Sequence, residues 1–124
     1  MIGYITLGTN NFEKAAAFYD ALLGEFGATR FMDDENFIAW ATTPDQPALS
    51  ITKPFDGKDA SVGNGVMVGL MLDSTDKVDA LYTKAMELGA TDEGQPGPRG
   101  ESGFYAAYFR DIDGNKLNFF HMPV

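Results

Sequence analysis

The chain has 124 residues, 44 % of them apolar, which is enough to bury a core and excludes a disordered or collagen-like segment. It contains no cysteine, so disulfides, thiolate zinc sites and a cysteine nucleophile are all excluded. Its formal net charge of −9, with Lys and Arg scattered singly, leaves no basic face for nucleic acid and suits, if anything, a cationic partner.

Taken in order, Ile2 to Thr9 is rich in β-formers and reads as a first strand. Asn10, three residues before Glu13, resembles a capping box. Phe12, Ala15, Ala16, Tyr19, Leu22 and Leu23 then recur at helical spacing, and Gly24 and Gly27 offer stops. Thr29 to Met32 is a short strand. Phe37 to Ala41 and Ala48 to Thr52 form two more around a turn at Thr43 to Pro47. Lys53 to Gly65 has linker composition, with Pro54, Asp56-Gly57 and Gly63-Asn64-Gly65.

Val66 to Leu72 is again strand-like. Asp73 or Ser74 caps a second helix with Val78, Leu81, Tyr82, Ala85 and Leu88 on one face, ending at Gly89. Gln95 to Gly103, rich in Pro and Gly, is expected to be a loop. Phe104 to Phe120 is a β-hairpin of two aromatic-rich strands about the turn at Asp111, Asp113, Gly114 and Asn115.

The two halves repeat one plan. Tyr4 to Leu7 followed by Glu13 to Tyr19 matches Met67 to Leu70 followed by Asp76 to Tyr82 in one register. Gly27-Ala28 matches Gly89-Ala90. With a small shift in the loops, Trp40 aligns with Tyr108, Leu49 with Leu117 and Ser50 with Asn118. Two βαβββ units follow, with eight strands in a curved sheet, helices outside and a concave face.

The repeated strand and N-N-F-E-K-A-A-A-F-Y opening, with the closing F-R-D-I-D-G-N-K-L-N-F-F, resembles the glyoxalase/bleomycin-resistance/extradiol-dioxygenase group, the vicinal oxygen chelate superfamily. The resemblance implies an α+β fold whose curved, eight-stranded mixed sheet encloses a concave pocket. It covers a single domain, 1–124, with repeats at about 1–53 and 66–122, a linker at 54–65, and a homodimeric state. Metal-dependent members carry ligands, mostly His or Glu, at positions that fall here on Tyr4, Ser50, Met67 and Asn118. A phenol, a hydroxyl, a thioether and an amide are poor ligands for a hard or borderline divalent ion, so no metal or other cofactor is expected.

Strand alternation places Phe120 with Asn118, Thr6 with Tyr4, and Gly69 with Met67. The expected ligand-binding set is therefore Tyr4, Thr6, Trp40, Ser50, Met67, Gly69, Arg99, Tyr108, Asn118 and Phe120. The facing of Trp40, Tyr105 and Tyr108 stays open at this stage, and Arg99 is either an anion clamp or simply solvated. His121, the only histidine, is either an acid–base group or a residue hydrogen-bonded near the chain end. Tyr4 and Tyr105 are the other catalytic candidates.

Three functions fit. One is a binding protein for a cationic or aromatic small molecule, without metal. The second is a glyoxalase-I-like or other lyase or isomerase of the same superfamily, and the third is a dimerisation module with a vestigial pocket. A cytosolic location is expected, with neither nucleic acid nor membrane as partner. No apolar run reaches membrane-span length and no leader-like pattern opens the chain.

Overall fold

The computed structural model describes residues 1–123. The chain forms two compact units, Met1–Val62 and Gly63–Val124, dividing within the linker region expected from composition.

The first unit contains β1 (Tyr4–Gly8), α1 (Phe12–Gly24), β2 (Thr29–Asp33), β3 (Phe37–Ala41) and β4 (Ala48–Thr52). Its sheet runs β1-β4-β3-β2, with β1 parallel to β4 and the other pairs antiparallel. Helix α1 buries Ala15, Ala16, Tyr19, Leu22 and Leu23 of the stripe anticipated from spacing, adds Phe18, and leaves Phe12 half-buried. Its N-cap is Asn11, whose side chain accepts from Lys14 N. The expected cap, Asn10, instead clamps the linker: Ala60 N donates to its Oδ1 at 2.6 Å and its Nδ2 donates to Ala60 O at 3.1 Å.

The second unit repeats the plan with β5 (Val68–Met71), α2 (Thr75–Glu87), β6 (Thr91–Pro98), β7 (Tyr105–Arg110) and β8 (Lys116–His121). The sheet order is β5-β8-β7-β6, again with one parallel pair, β5 and β8. Ser74 caps α2, accepting from Lys77 N, and Val78, Leu81 and Ala85 are buried. The α+β class and the two βαβββ repeats are therefore found, with the eight strands arranged as two open, four-stranded mixed sheets.

Strand β6 corrects the loop expected at Gln95–Gly103, whose first four residues belong to it. It is an edge strand, the one place where Pro96 and Pro98 cost no essential ladder bond, and its register shifts at Asp92/Gly94 and Gly94/Gly97. Composition alone read those glycines and prolines as loop. Pairing with β7 overrides it.

The alignment of Trp40 with Tyr108 is also corrected. Ser50 pairs with Ala39 and Asn118 with Tyr108, so Ala39 is the counterpart of Tyr108. Trp40 pairs with Leu49 and Phe109 with Leu117, which makes Trp40 the counterpart of Phe109. A slip of one residue moves a side chain to the opposite face. Trp40 accordingly lies against α1, 2 % exposed, beside Tyr19, with its Nε1 donating to Asp20 Oδ1 at 2.8 Å. The Arg30 guanidinium on the same carboxylate holds the Asp20 pKa below its usual range.

Candidate functional site

Each sheet has one face under its own helix and one face that no helix of its unit covers. Alternation assigns the side chains. In the first unit Ile5, Leu7, Ile38, Trp40, Leu49 and Ile51 share the helix side. Tyr4, Thr6, Phe37, Ala39, Ser50 and Thr52 share the open side. In the second unit Tyr105, Ala107, Phe109, Leu117, Phe119 and His121 lie on the helix side. Gly69, Met71, Ala106, Tyr108, Lys116, Asn118 and Phe120 lie on the open side.

This division separates the residues singled out from sequence. Trp40 does not belong with the ligand-facing set; it is occupied in packing beneath α1. Two of the three catalytic candidates, Tyr105 and His121, also point to the helix side. Tyr105 Oη donates to Asp79 Oδ1 on α2 at 2.6 Å, and that bond raises the Tyr105 pKa. A phenol acting as a base needs the opposite shift. His121 Nδ1 sits 3.0 Å from Leu72 O; a carbonyl only accepts, so Nδ1 carries the proton in this contact. Tyr4 stays on the open side, 65 % exposed, its ring edge-on to Phe37 at 6.4 Å.

The open faces differ most along one row of paired residues. In the first unit the row reads Thr6, Ser50, Ala39, Met32 across β1, β4, β3 and β2. Its polar atoms satisfy each other. Ser50 Oγ donates to Ile5 O at 2.8 Å, and Thr6 Oγ1 lies 3.1 Å from Ser50 Oγ, which leaves Thr6 as the donor. In the second unit the same row reads Gly69, Asn118, Tyr108, Gly94 across β5, β8, β7 and β6.

Here the balance is different. Asn118 is 2 % exposed, and its Oδ1 has no hydrogen-bond partner among the described residues. A Cβ at Gly69 would stand 2.8 Å from that oxygen and 3.3 Å from Phe120 Cε1. The larger amide thus requires glycine where the first unit has Thr6. At the other end of the row a Cβ at Gly94 would meet Tyr108 Cδ1 at 3.1 Å and Arg99 Nη2 at 3.3 Å. Phe120 stacks on Phe104, with ring centroids 5.4 Å apart.

Arg99 is anchored over this face. Its Nη1 donates to Gly97 O and its Nη2 to Gln95 O, both at 2.8 Å, which sets the guanidinium 5.4 Å from the Tyr108 ring centroid. Lys116 Nζ is 5.7 Å from the same centroid. Lys116 was not singled out from sequence, although its alternation with Asn118 and Phe120 in the last strand was enough to place it there. Met67, just before β5, is 44 % exposed.

A groove of about 310 Å³ lies on the helix side of the first unit, lined by Phe12, Ala16, Asp20, Arg30 and their neighbours. Of its three carboxylates, Glu13, Asp20 and Asp33, the last two are bridged by Arg30, and the groove shares no residue with the open face.

The four positions at which the resemblance would place metal ligands, Tyr4, Ser50, Met67 and Asn118, carry side chains that do not suit a divalent ion. Ser50 Oγ is already committed to Ile5 O and Thr6, and Asn118 brings one neutral amide oxygen. Tyr4 and Met67 add a phenol and a thioether, where such ions take carboxylate oxygens and neutral imidazoles. Among the described residues no group of three or more His, Cys, Asp or Glu side chains is placed to hold a metal ion.

Comparison with known proteins agrees with this fold. Residues 1–119 match the model of the Glyoxalase/Bleomycin resistance protein/Dioxygenase superfamily, and the chain belongs to that superfamily. A glyoxalase/bleomycin resistance protein from Albidiferax ferrireducens is 34 % identical over 99 % of each chain, with a TM-score of 0.89. Lactoylglutathione lyase from Agrobacterium tumefaciens shares the fold at 20 % identity, covering 98 % of this chain and 92 % of its own, TM-score 0.71. A genomically encoded fosfomycin resistance protein from Listeria monocytogenes does so at 16 % identity, covering 100 % and 94 %, TM-score 0.74. No curated protein matches the chain. Among the described residues no helix is long and apolar enough to cross a membrane.

Proposed function

We propose that this chain is a small-molecule-binding member of the superfamily that works without the family's metal, with the open face of the second unit as its binding surface. The observation that carries this reading is Asn118. A buried acceptor without a partner is costly, roughly 1–3 kcal/mol, and folded proteins retain few of them. This one stands beside Tyr108, its partner across the strands, and beside Phe120, on which Phe104 stacks. A flat ligand would stack on the aromatic rings and, once a shift of the neighbouring side chains uncovers the buried oxygen, donate a hydrogen bond to Asn118.

A metal-dependent lyase reading has less support, because the donor set is unsuited and Tyr105 and His121 are engaged on the helix side. The chain is also proposed to form a homodimer, in keeping with its superfamily. The exposed Phe31 and Met32 of edge strand β2 are available for such contacts.

The test is a thermal-shift screen in excess EDTA against aromatic acids, cationic antibiotics and thiol adducts. A ligand that binds only the folded state raises Tm. At least one compound is expected to do so, undiminished by EDTA and lost in Tyr108→Ala. A Tm gain that disappears on chelation would refute the metal-free reading.

A further inference from the structure

We propose that the ligand of this face is an anion on a flat apolar body, an aromatic carboxylate in chemical class, with its charge met by Arg99 and Lys116 beside Tyr108. The inference rests on the binding reading above and adds the sign of the ligand's charge. The chain has 18 acidic residues against 9 basic ones, so a cation on its surface has carboxylates in plenty to pair with. Elsewhere in this unit Lys77 pairs with Asp73, and Arg110 with Glu93. Arg99 and Lys116 are different. Neither has a carboxylate partner among the described residues, yet both converge on one tyrosine ring.

Arg99 is also preorganised. The carbonyls of Gln95 and Gly97 fix its guanidinium, and a Cβ at Gly94, with which Tyr108 is paired, would stand 3.3 Å from Nη2. Its Nε and second Nη2 proton have no acceptor among the described residues and are available to a carboxylate. Carbonyls neutralise no charge, so the guanidinium keeps its full attraction for an anion.

The two cations and the ring suit a planar acid. The ring and Phe120 offer apolar faces, the cations take the carboxylate, and Asn118 Oδ1 accepts from a hydroxyl or amine on the same ligand. The overall charge of −9 opposes an anion only weakly at this point. Exposed charges more than roughly 8 Å away are largely screened at physiological ionic strength, whereas the two cations would be in contact. The net charge of the chain therefore points to a cationic ligand and the site to an anionic one. The site decides.

The test is equilibrium binding of three naphthalene probes to the full chain: hydroxynaphthoate, naphthol and naphthylmethylammonium. Hydroxynaphthoate is expected to bind tightest, with an affinity that falls as salt rises. Arg99→Met and Lys116→Met are each expected to weaken it roughly tenfold while leaving naphthol unchanged. The Lys116 side chain makes no hydrogen bond among the described residues, and its substitution leaves the backbone pairing with Arg110 in place, so it separates charge from stability even if Arg99→Met loosens β6. Tightest binding by naphthylmethylammonium, or hydroxynaphthoate affinity unaffected by Lys116→Met, would overturn the inference and leave the binding face standing. Binding of none of the three would overturn both.

Discussion

Asn118→Leu is expected to make the protein more stable and unable to bind its ligand. Leucine shares the branched shape of asparagine, is larger and has no polar atoms, so the substitution removes a desolvated acceptor and opens no cavity. In the free protein Oδ1 has no partner among the described residues, and the residue is 2 % exposed. Relieving an unsatisfied buried acceptor is worth about 1–3 kcal/mol, part of which the new methyl contacts with Gly69 and Phe120 could offset. A rise in the urea midpoint at unchanged slope would report the gain. Loss of the ligand's hydrogen bond should at the same time weaken binding by at least about tenfold, since a site that loses a directed polar contact discriminates strongly. Stability and binding moving in opposite directions is the mark of a functional residue. A variant that is destabilised, or that binds as well as the original chain, would show that Asn118 is ordinary core.

The second large effect belongs to the turn between β7 and β8. Asp111 is 4 % exposed, and its Oδ1 accepts from the backbone N–H groups of Asp113 and Asn115, both at 2.9 Å. Its Oδ2 accepts from Asn115 Nδ2 at 3.1 Å. The carboxylate closes the loop together with the backbone bonds Asp111 N to Asn115 O and Gly114 N to Asp111 O, and Gly114 at φ 91° supplies the left-handed residue the turn needs. Asp111→Ala leaves two backbone donors without acceptors and is expected to cost about 3–5 kcal/mol, read as a fall in Tm. Asp111→Asn keeps one oxygen for both backbone donors and should cost about 1–2 kcal/mol. Equal losses in the two variants would mean that the turn is held by its backbone alone. Because β8 is paired with both β5 and β7, loosening this hairpin would disturb the binding row as well.

Much of this was legible in the sequence, for reasons that can be stated residue by residue. The helical stripe from Phe12 to Leu23 and the D-x-D-G-N turn are local signals, and each formed where expected. The matched openings at Tyr4 and Met67 announced a duplicated plan, and strand alternation then grouped Tyr4 with Thr6 and Asn118 with Phe120 correctly. What was not legible depends on pairing. Pro96 and Pro98 argue for a loop until a neighbouring strand and an edge position are known. Trp40 aligns with Phe109 and not with Tyr108, because loops of different length separate the last two strands of each unit; its facing, open from alternation alone, is the helix side. A shift of one residue in matching them reverses a side chain. Asn10 carries the chemistry of a cap, and only the fold shows that Ala60 engages it. The unpartnered state of Asn118 Oδ1 is likewise invisible to any pattern, because it depends on what surrounds the side chain.

The most direct test of the central claim is the metal content of the purified chain after equilibration with zinc, nickel and manganese and removal of loosely bound ions. A face that grips its ligand with an amide, a phenol and two cations should retain far less than one ion per chain, and Asn118→Leu should not change that value. A stoichiometric ion that leaves when Asn118 is replaced would contradict it.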